Sequence, residues 1–203
     1  MRKIRRNVFE TNSSSSHSIA ISNKDRGYDF NLPVDEDGVL HIPFGTFGWG
    51  PHLLKTPLQK LSYYVTDNCP YNDIYAEIPF DETSINVLKD KPKIKEVFDL
   101  IKKHCPQVED ITFESSDSIY YPFGYVDHDS VGTSREIELY DLIFNNSVII
   151  VIDNDNSNYY SDYTYSISGD GNPLKEELFD KTEEEIQAKI DSTPQWGKGW
   201  YNS

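Results

Sequence analysis

The sequence predicts an α+β fold in a single compact domain, with a mixed or antiparallel sheet and about three to four helices. Three observations point there. Val148-Ile149-Ile150-Val151-Ile152 is a continuous apolar run of β-branched residues, the pattern of a central strand covered on both faces. Asp110-Ile111-Thr112-Phe113-Glu114 alternates with the period of a half-buried strand. Ile94, Val97, Phe98 and Ile101 recur at helical spacing, with Lys93, Lys95, Lys102 and Lys103 left outside.

The other elements follow in chain order. Residues 7–22 read as a polar loop leading into a short strand centred on Ile19, Ala20 and Ile21, which Ser22-Asn23-Lys24-Asp25 ends. Residues 23–37 are charged and rich in turn formers. Val39 to Phe44 is a second strand, closed by Pro43 and Gly45. GTFGWGPH (45–52) reads as a structured loop rather than a strand, because it holds three glycines and two aromatics. Thr56-Pro57 is an N-cap followed by proline at the first helical position. Leu58, Leu61, Tyr64 and Val65 then form one face of a helix to about Asp67. Asp81-Glu82-Thr83-Ser84 starts a second helical stretch, which Lys91-Pro92 interrupts before the helix that ends near His104.

The second half is mostly extended. Residues 116–135 are aromatic and turn-rich, and Ile137, Leu139, Leu142, Ile143 and Phe144 permit a short helix. Tyr163 to Ser168 alternates, which suggests a long-looped hairpin with 148–152. Leu174, Leu178, Ile186 and Ile190 give one face of a final helix over 174–190. No internal repeat and no clear linker interrupts residues 1–203, although the charge changes character near residue 105.

That change is the main compositional signal. The 203 residues carry 34 Asp and Glu against 19 Lys and Arg, a formal charge of −15. Residues 1–104 hold 14 basic and 14 acidic side chains, whereas residues 105–203 hold 5 and 20. Such a balance argues against a nucleic-acid binder that works by broad phosphate neutralisation. Arg2, Lys3, Arg5 and Arg6 make the first six residues basic, so the start of the chain can dock on its own acidic half, or that half can face a basic partner. Hydrophobic residues make up 37% of the chain, too much for general disorder. No apolar run approaches the roughly 20 residues that span a bilayer. Polar ETNSSSSHS follows the basic start where a signal peptide needs an apolar core, and Cys69 and Cys105 show no CxxC or zinc spacing. The expectation is a protein of the host-cell cytoplasm with two free thiols.

Candidate chemistry concentrates in two places. Glu10, Asn12, Ser13, Ser14, Ser15 and His17 put a carboxylate, hydroxyls and an imidazole within eight residues. Such a loop can hold phosphate or another anion, with Arg5 and Arg6 adding charge and Glu10 or His17 as general base. The plain alternative is a polar loop whose serines cap turns. In the acidic half, residues 153–165 read DNDNSNYYSDYTY. Asp153, Asp155, Tyr159, Tyr160 and Asp162, with Glu183 and Glu184 of the last helix, suit a surface that mimics nucleic acid and occupies a basic groove. The plain alternative there is an acidic, solvated surface. Asp153 and Asp155 follow a strand, where hard cations bind, but the full calcium-loop pattern is missing. No metal and no cofactor is expected. His41, His52, His104 and His128 have no ligand spacing and read as surface or satisfied histidines.

VFETNSSSSHSI, FGTFGWG and TPLQKLSYYVT together resemble the N-terminal part of a family of uncharacterised bacteriophage and mobile-element proteins. The family pattern is ETNSSS-[ST]-HS, then FGWG, then KLSY, and the likeness covers about residues 4–67. The resemblance implies origin rather than mechanism. With it, the expected function is a phage- or prophage-encoded acidic protein that binds and modulates a host or defence protein, without direct contact to nucleic acid or membrane. The alternative is an enzyme or nucleotide- or phosphate-binding protein with its site at Glu10–His17. Arg5 or Arg6, the serine cluster and Glu136-Ile137-Glu138 occur in the order of Arg, Ser-x-Ser, Glu-x-Glu ADP-ribosyltransferases. The first two are too close to lie on separate strands, as that family requires. No GxxxxGK[ST] phosphate loop occurs in the chain.

Overall fold

The computed structural model of the chain describes residues 15–48, 52–71, 78–127, 137–154 and 173–182, with positions 184, 185 and 188. In chain order the elements are β1 (Ser15–Ile21), β2 (Val39–Pro43), β3 (Thr46–Phe47), β4 (His52–Leu54), α1 (Pro57–Asp67), α2 (Glu82–Lys89), α3 (Pro92–His104), β5 (Asp110–Glu114), β6 (Tyr125–Val126), α4 (Leu139–Phe144), β7 (Val148–Asn154) and α5 (Pro173–Asp180). The fold is α+β, with open antiparallel and parallel sheets.

β7 is the centre of a three-stranded antiparallel sheet, flanked by β1 and β4. Alternation along these strands separates two cores. Ile19, Leu54, Val148, Ile150 and Ile152 face the main core, which the buried sides of α1, α3 and α4 complete. Ala20, Leu53, Ile149 and Val151 face the other way, against Leu178 and Phe179 of α5. The apolar run 148–152 is therefore covered on both faces. Tyr163–Ser168, the expected hairpin partner of this run, lies outside the described residues.

Residues 39–47 form a nearly continuous strip. β2 pairs in parallel with β5, and β3 in parallel with β6. The Gly-rich segment read as a loop thus contains one short strand and the first residue of another, β3 and β4. Gly124 carries φ +73, and a Cβ there would stand 2.3 Å from the Gly45 carbonyl oxygen. Glycine at this point lets β3 and β6 approach, and the Tyr125 N–H donates to the same Gly45 oxygen at 2.9 Å.

The helices begin as their sequences dictate. The Thr56 hydroxyl accepts from the Gln59 N–H while Gln59 Oε1 accepts from the Thr56 N–H, a reciprocal capping box ahead of Pro57. Asp81 and Ser84 repeat the arrangement at α2. The final helix departs from the expected single stretch over 174–190. α5 stops at Asp180, and Thr182 and Glu185 form a new capping box, Thr182 N–H to Glu185 Oε2 at 2.8 Å and Glu185 N–H to Thr182 Oγ1 at 3.2 Å. A local cap outcompetes apolar periodicity there.

Among the described residues, each pairing between strands joins one before residue 105 to one after it. The neutral and acidic halves of the sequence are interleaved in space.

Candidate functional site

One end of the three-stranded sheet collects the stretches that stand out in the sequence. β1 and β4 begin there and β7 ends there. The register pairs Ser15 with Asn154, Ser16 with Asp153, and both His17 and His52 with Ile152. The serine–histidine motif thus enters the sheet beside the start of the acidic, tyrosine-rich run. Candidates assigned to opposite halves of the sequence meet at one edge.

His17, Ile152 and His52 form a row across the sheet. Their alternation with Ile19, Ile150 and Leu54 puts all three on the main-core face. His17 Nδ1 and the Tyr63 hydroxyl share a hydrogen bond of 2.6 Å. Tyr63 lies on α1 and is fully buried. Phe47 packs edge-on against Tyr63, with ring centroids 5.1 Å apart, and against His52 at 6.2 Å. Three separate sequence motifs therefore meet at Tyr63. His17 comes from ETNSSSSHS, Phe47 from FGWG and Tyr63 from KLSY.

The rest of KLSY is equally engaged. Ser62 Oγ donates to the Pro43 carbonyl at 2.6 Å and Leu61 is fully buried. Lys60 is fully buried as well, and its Nζ donates to the Asn145 carbonyl at 3.0 Å, at the C-terminal cap of α4. Burial pulls its ammonium down to about 8, against a smaller upward pull from Asp29. Close by, Tyr125 Oη donates to the buried Asp127 carboxylate at 2.9 Å, and the Asp127 N–H donates to the Phe47 carbonyl.

Of the residues expected to carry chemistry, His17 is half-buried in this cluster, and Ser15 lies at the first position of β1. Asp153 is on β7 opposite Ser16, and Glu184 is exposed. Arg5, Arg6, Glu10, Asn12, Ser13, Ser14, Asp155, Tyr159, Tyr160, Asp162 and Glu183 lie outside the described residues, as do Glu136 and His128. Reading from sequence missed Tyr63 and set His52 aside. The available signal for Tyr63 was its place in KLSY. His41 is engaged elsewhere, its Nε2 donating to Asp35 at 2.9 Å. The hydrogen bond from His41 and the N–H groups of Val39 and Asp37 hold the Asp35 carboxyl below its ordinary range. Cys69 and Cys105 are buried free thiols.

The acidic excess is partly used inside the molecule. Arg26 Nη1 donates to Asp180 at 2.6 Å and Nη2 to Glu176 at 2.9 Å. Among the described residues, no group of three or more His, Cys, Asp or Glu is placed to hold a metal ion, and no helix is long and apolar enough to cross a membrane.

The chain matches no family model, no curated protein and no solved structure.

Proposed function

We propose that this chain is an acidic binding protein of phage or prophage origin that engages a host or defence protein through the end of the sheet where β1 and β4 begin and β7 ends. The observation that carries the reading is the contact of His17, Phe47 and Tyr63 at the edge from which the acidic run departs. Buried Phe47 and Tyr63, with half-buried His17 and His52, form the base of that edge. Asp153, Asp155 and Asp162, interleaved with Tyr159 and Tyr160, supply negative charge and aromatic contact area for a basic surface. Contact of this kind is steered by charge and weakens with salt.

The test is capture of host proteins at low and high salt by three chains: the natural one, Asp153→Lys/Asp155→Lys/Asp162→Lys, and a control reversed at Glu96 and Asp99 of α3. The reading requires salt-sensitive capture that the first variant loses and the control keeps. Equal capture by all three chains would refute it.

A second reading, an enzyme or phosphate-binding site, draws on the short His17–Tyr63 hydrogen bond, a phenol–imidazole pair able to move a proton. It requires Tyr63→Phe to abolish a turnover or ligand-binding activity while the fold persists.

A further inference from the structure

Among the described residues, the second core joins Ala20, Leu53, Ile149 and Val151 to Leu178 of α5, which is fully buried, with Phe179 partly buried beside it. A helix of eight residues has little stability of its own, so tertiary contacts must hold it. Among the described residues, several of those contacts are charged. Besides its bonds to Asp180 and Glu176, Arg26 donates from Nε to Ser22 Oγ at 3.2 Å and lies over the Phe179 ring, 5.0 Å from its centroid. Glu176 also accepts from the Ser22 hydroxyl at 2.9 and 3.0 Å and from the Asn23 N–H at 2.9 Å. Lys24 Nζ stands 3.7 Å from Glu176 and 3.9 Å from Asp180, and Lys55 Nζ donates to the Lys181 carbonyl at the helix end.

This clasp is open to solvent. Arg26 and Glu176 keep 20% of their side-chain surface, Asp180 54% and Lys24 63%. Pairs of that exposure are screened by salt. β7, by contrast, is buried on both faces and bonded on both edges. The two elements therefore differ in local stability.

We propose that α5 is a salt-sensitive latch, closed by Arg26 on Glu176 and Asp180, which opens as a unit while the rest of the fold stays intact and uncovers the apolar strip Ala20, Leu53, Ile149 and Val151. The latch is independent of whether the opposite, histidine-bearing face binds a partner.

Amide hydrogen exchange on the full chain tests this. In low salt the amides of Phe179, Asp180 and Lys181 are protected. High salt, or Arg26→Gln in low salt, accelerates their exchange severalfold. The amides of Ile149 and Val151 stay slow in both cases, and high salt adds little to Arg26→Gln. Two results would overturn the proposal: α5 exchange that ignores both salt and the substitution, or α5 exchange that accelerates only in step with β7. The salt series on the natural chain decides the matter even where the variant folds poorly.

Discussion

Lys60→Met tests the physical account of the core most directly. Lys60 is fully buried on α1, and its ammonium group titrates at about 8 rather than 10.5 because burial penalises the charge. At about 1.36 kcal/mol per unit, the native state is penalised by about 3 kcal/mol relative to the unfolded chain. The penalty is complete below about pH 8, where both states are protonated. Between about pH 8 and 10.5 the unfolded chain holds a proton that the folded chain has released, so stability rises with pH across that window. Methionine fills similar volume without charge. The Asn145 carbonyl keeps a donor in the Val148 N–H at 3.1 Å, so the substitution orphans no buried acceptor. The variant is expected to be more stable than the natural chain by about 1–3 kcal/mol near neutral pH, the gain vanishing near pH 10.5. Urea titrations of both proteins across this range measure it. Burial pushes the Cys69 and Cys105 thiols up to about 11 and Tyr64 up to about 12, and these tilt stability the opposite way. They are present in both proteins and cancel in the difference. A flat difference curve, or a variant less stable than the natural chain by more than about 1 kcal/mol, would show that Lys60 is a compensated charge and refute the reasoning.

Gly124→Ala forces a Cβ toward the Gly45 oxygen at a positive φ, so it should cost about 2–4 kcal/mol, read as a lower urea midpoint. Thr56→Ala removes half of the α1 capping box and should cost about 1 kcal/mol by the same assay, with Thr56→Ser close to neutral. The Arg26 hydrogen bond holds the Asp180 carboxyl below its ordinary range. For Glu176, burial pushes up, but the bonds from Arg26, Asn23 and Ser22 and the Lys24 charge win, so it too is lowered. Their stabilising contribution is complete above the ordinary carboxylate range and is lost as pH falls through the lowered values. In an acid titration followed by amide resonances, Leu178 and Phe179 should therefore lose their native positions before Ile149 and Val151.

What sequence made legible was local. The apolar run 148–152 has the pattern of a doubly covered strand, and Thr56-Pro57 with Leu58 and Leu61 marked α1 because caps and periodicity act over a few residues. β3 and β4 escaped notice because strands of two and three residues take their identity from distant partners, Tyr125–Val126 and Ile150–Ile152. Lys60 escaped because a lysine in a helix is expected to face water, and only the packing of α4 shows that it does not. At the candidate site, His17 was legible from its motif. Its partner Tyr63 lies on α1, far along the chain, and the pairing of Ser16 with Asp153 depends on a register that no local pattern encodes. The charge split near residue 105 was real but misleading about space, since the strands of the two halves alternate within the sheets.

That interleaving governs the order in which the molecule can be built. Ser15 must wait for Asn154, and Val39 for Asp110, before these ladders can form. During synthesis the helices of residues 57–104 can form and cluster early, because their contacts are close in sequence, whereas no sheet can close until long after its first strand has left the ribosome. Until then the emerging chain carries SIAI and VLHIP as unpaired strand segments. Val148–Asn154 is the strand on which that sheet closes, since it pairs on both of its sides.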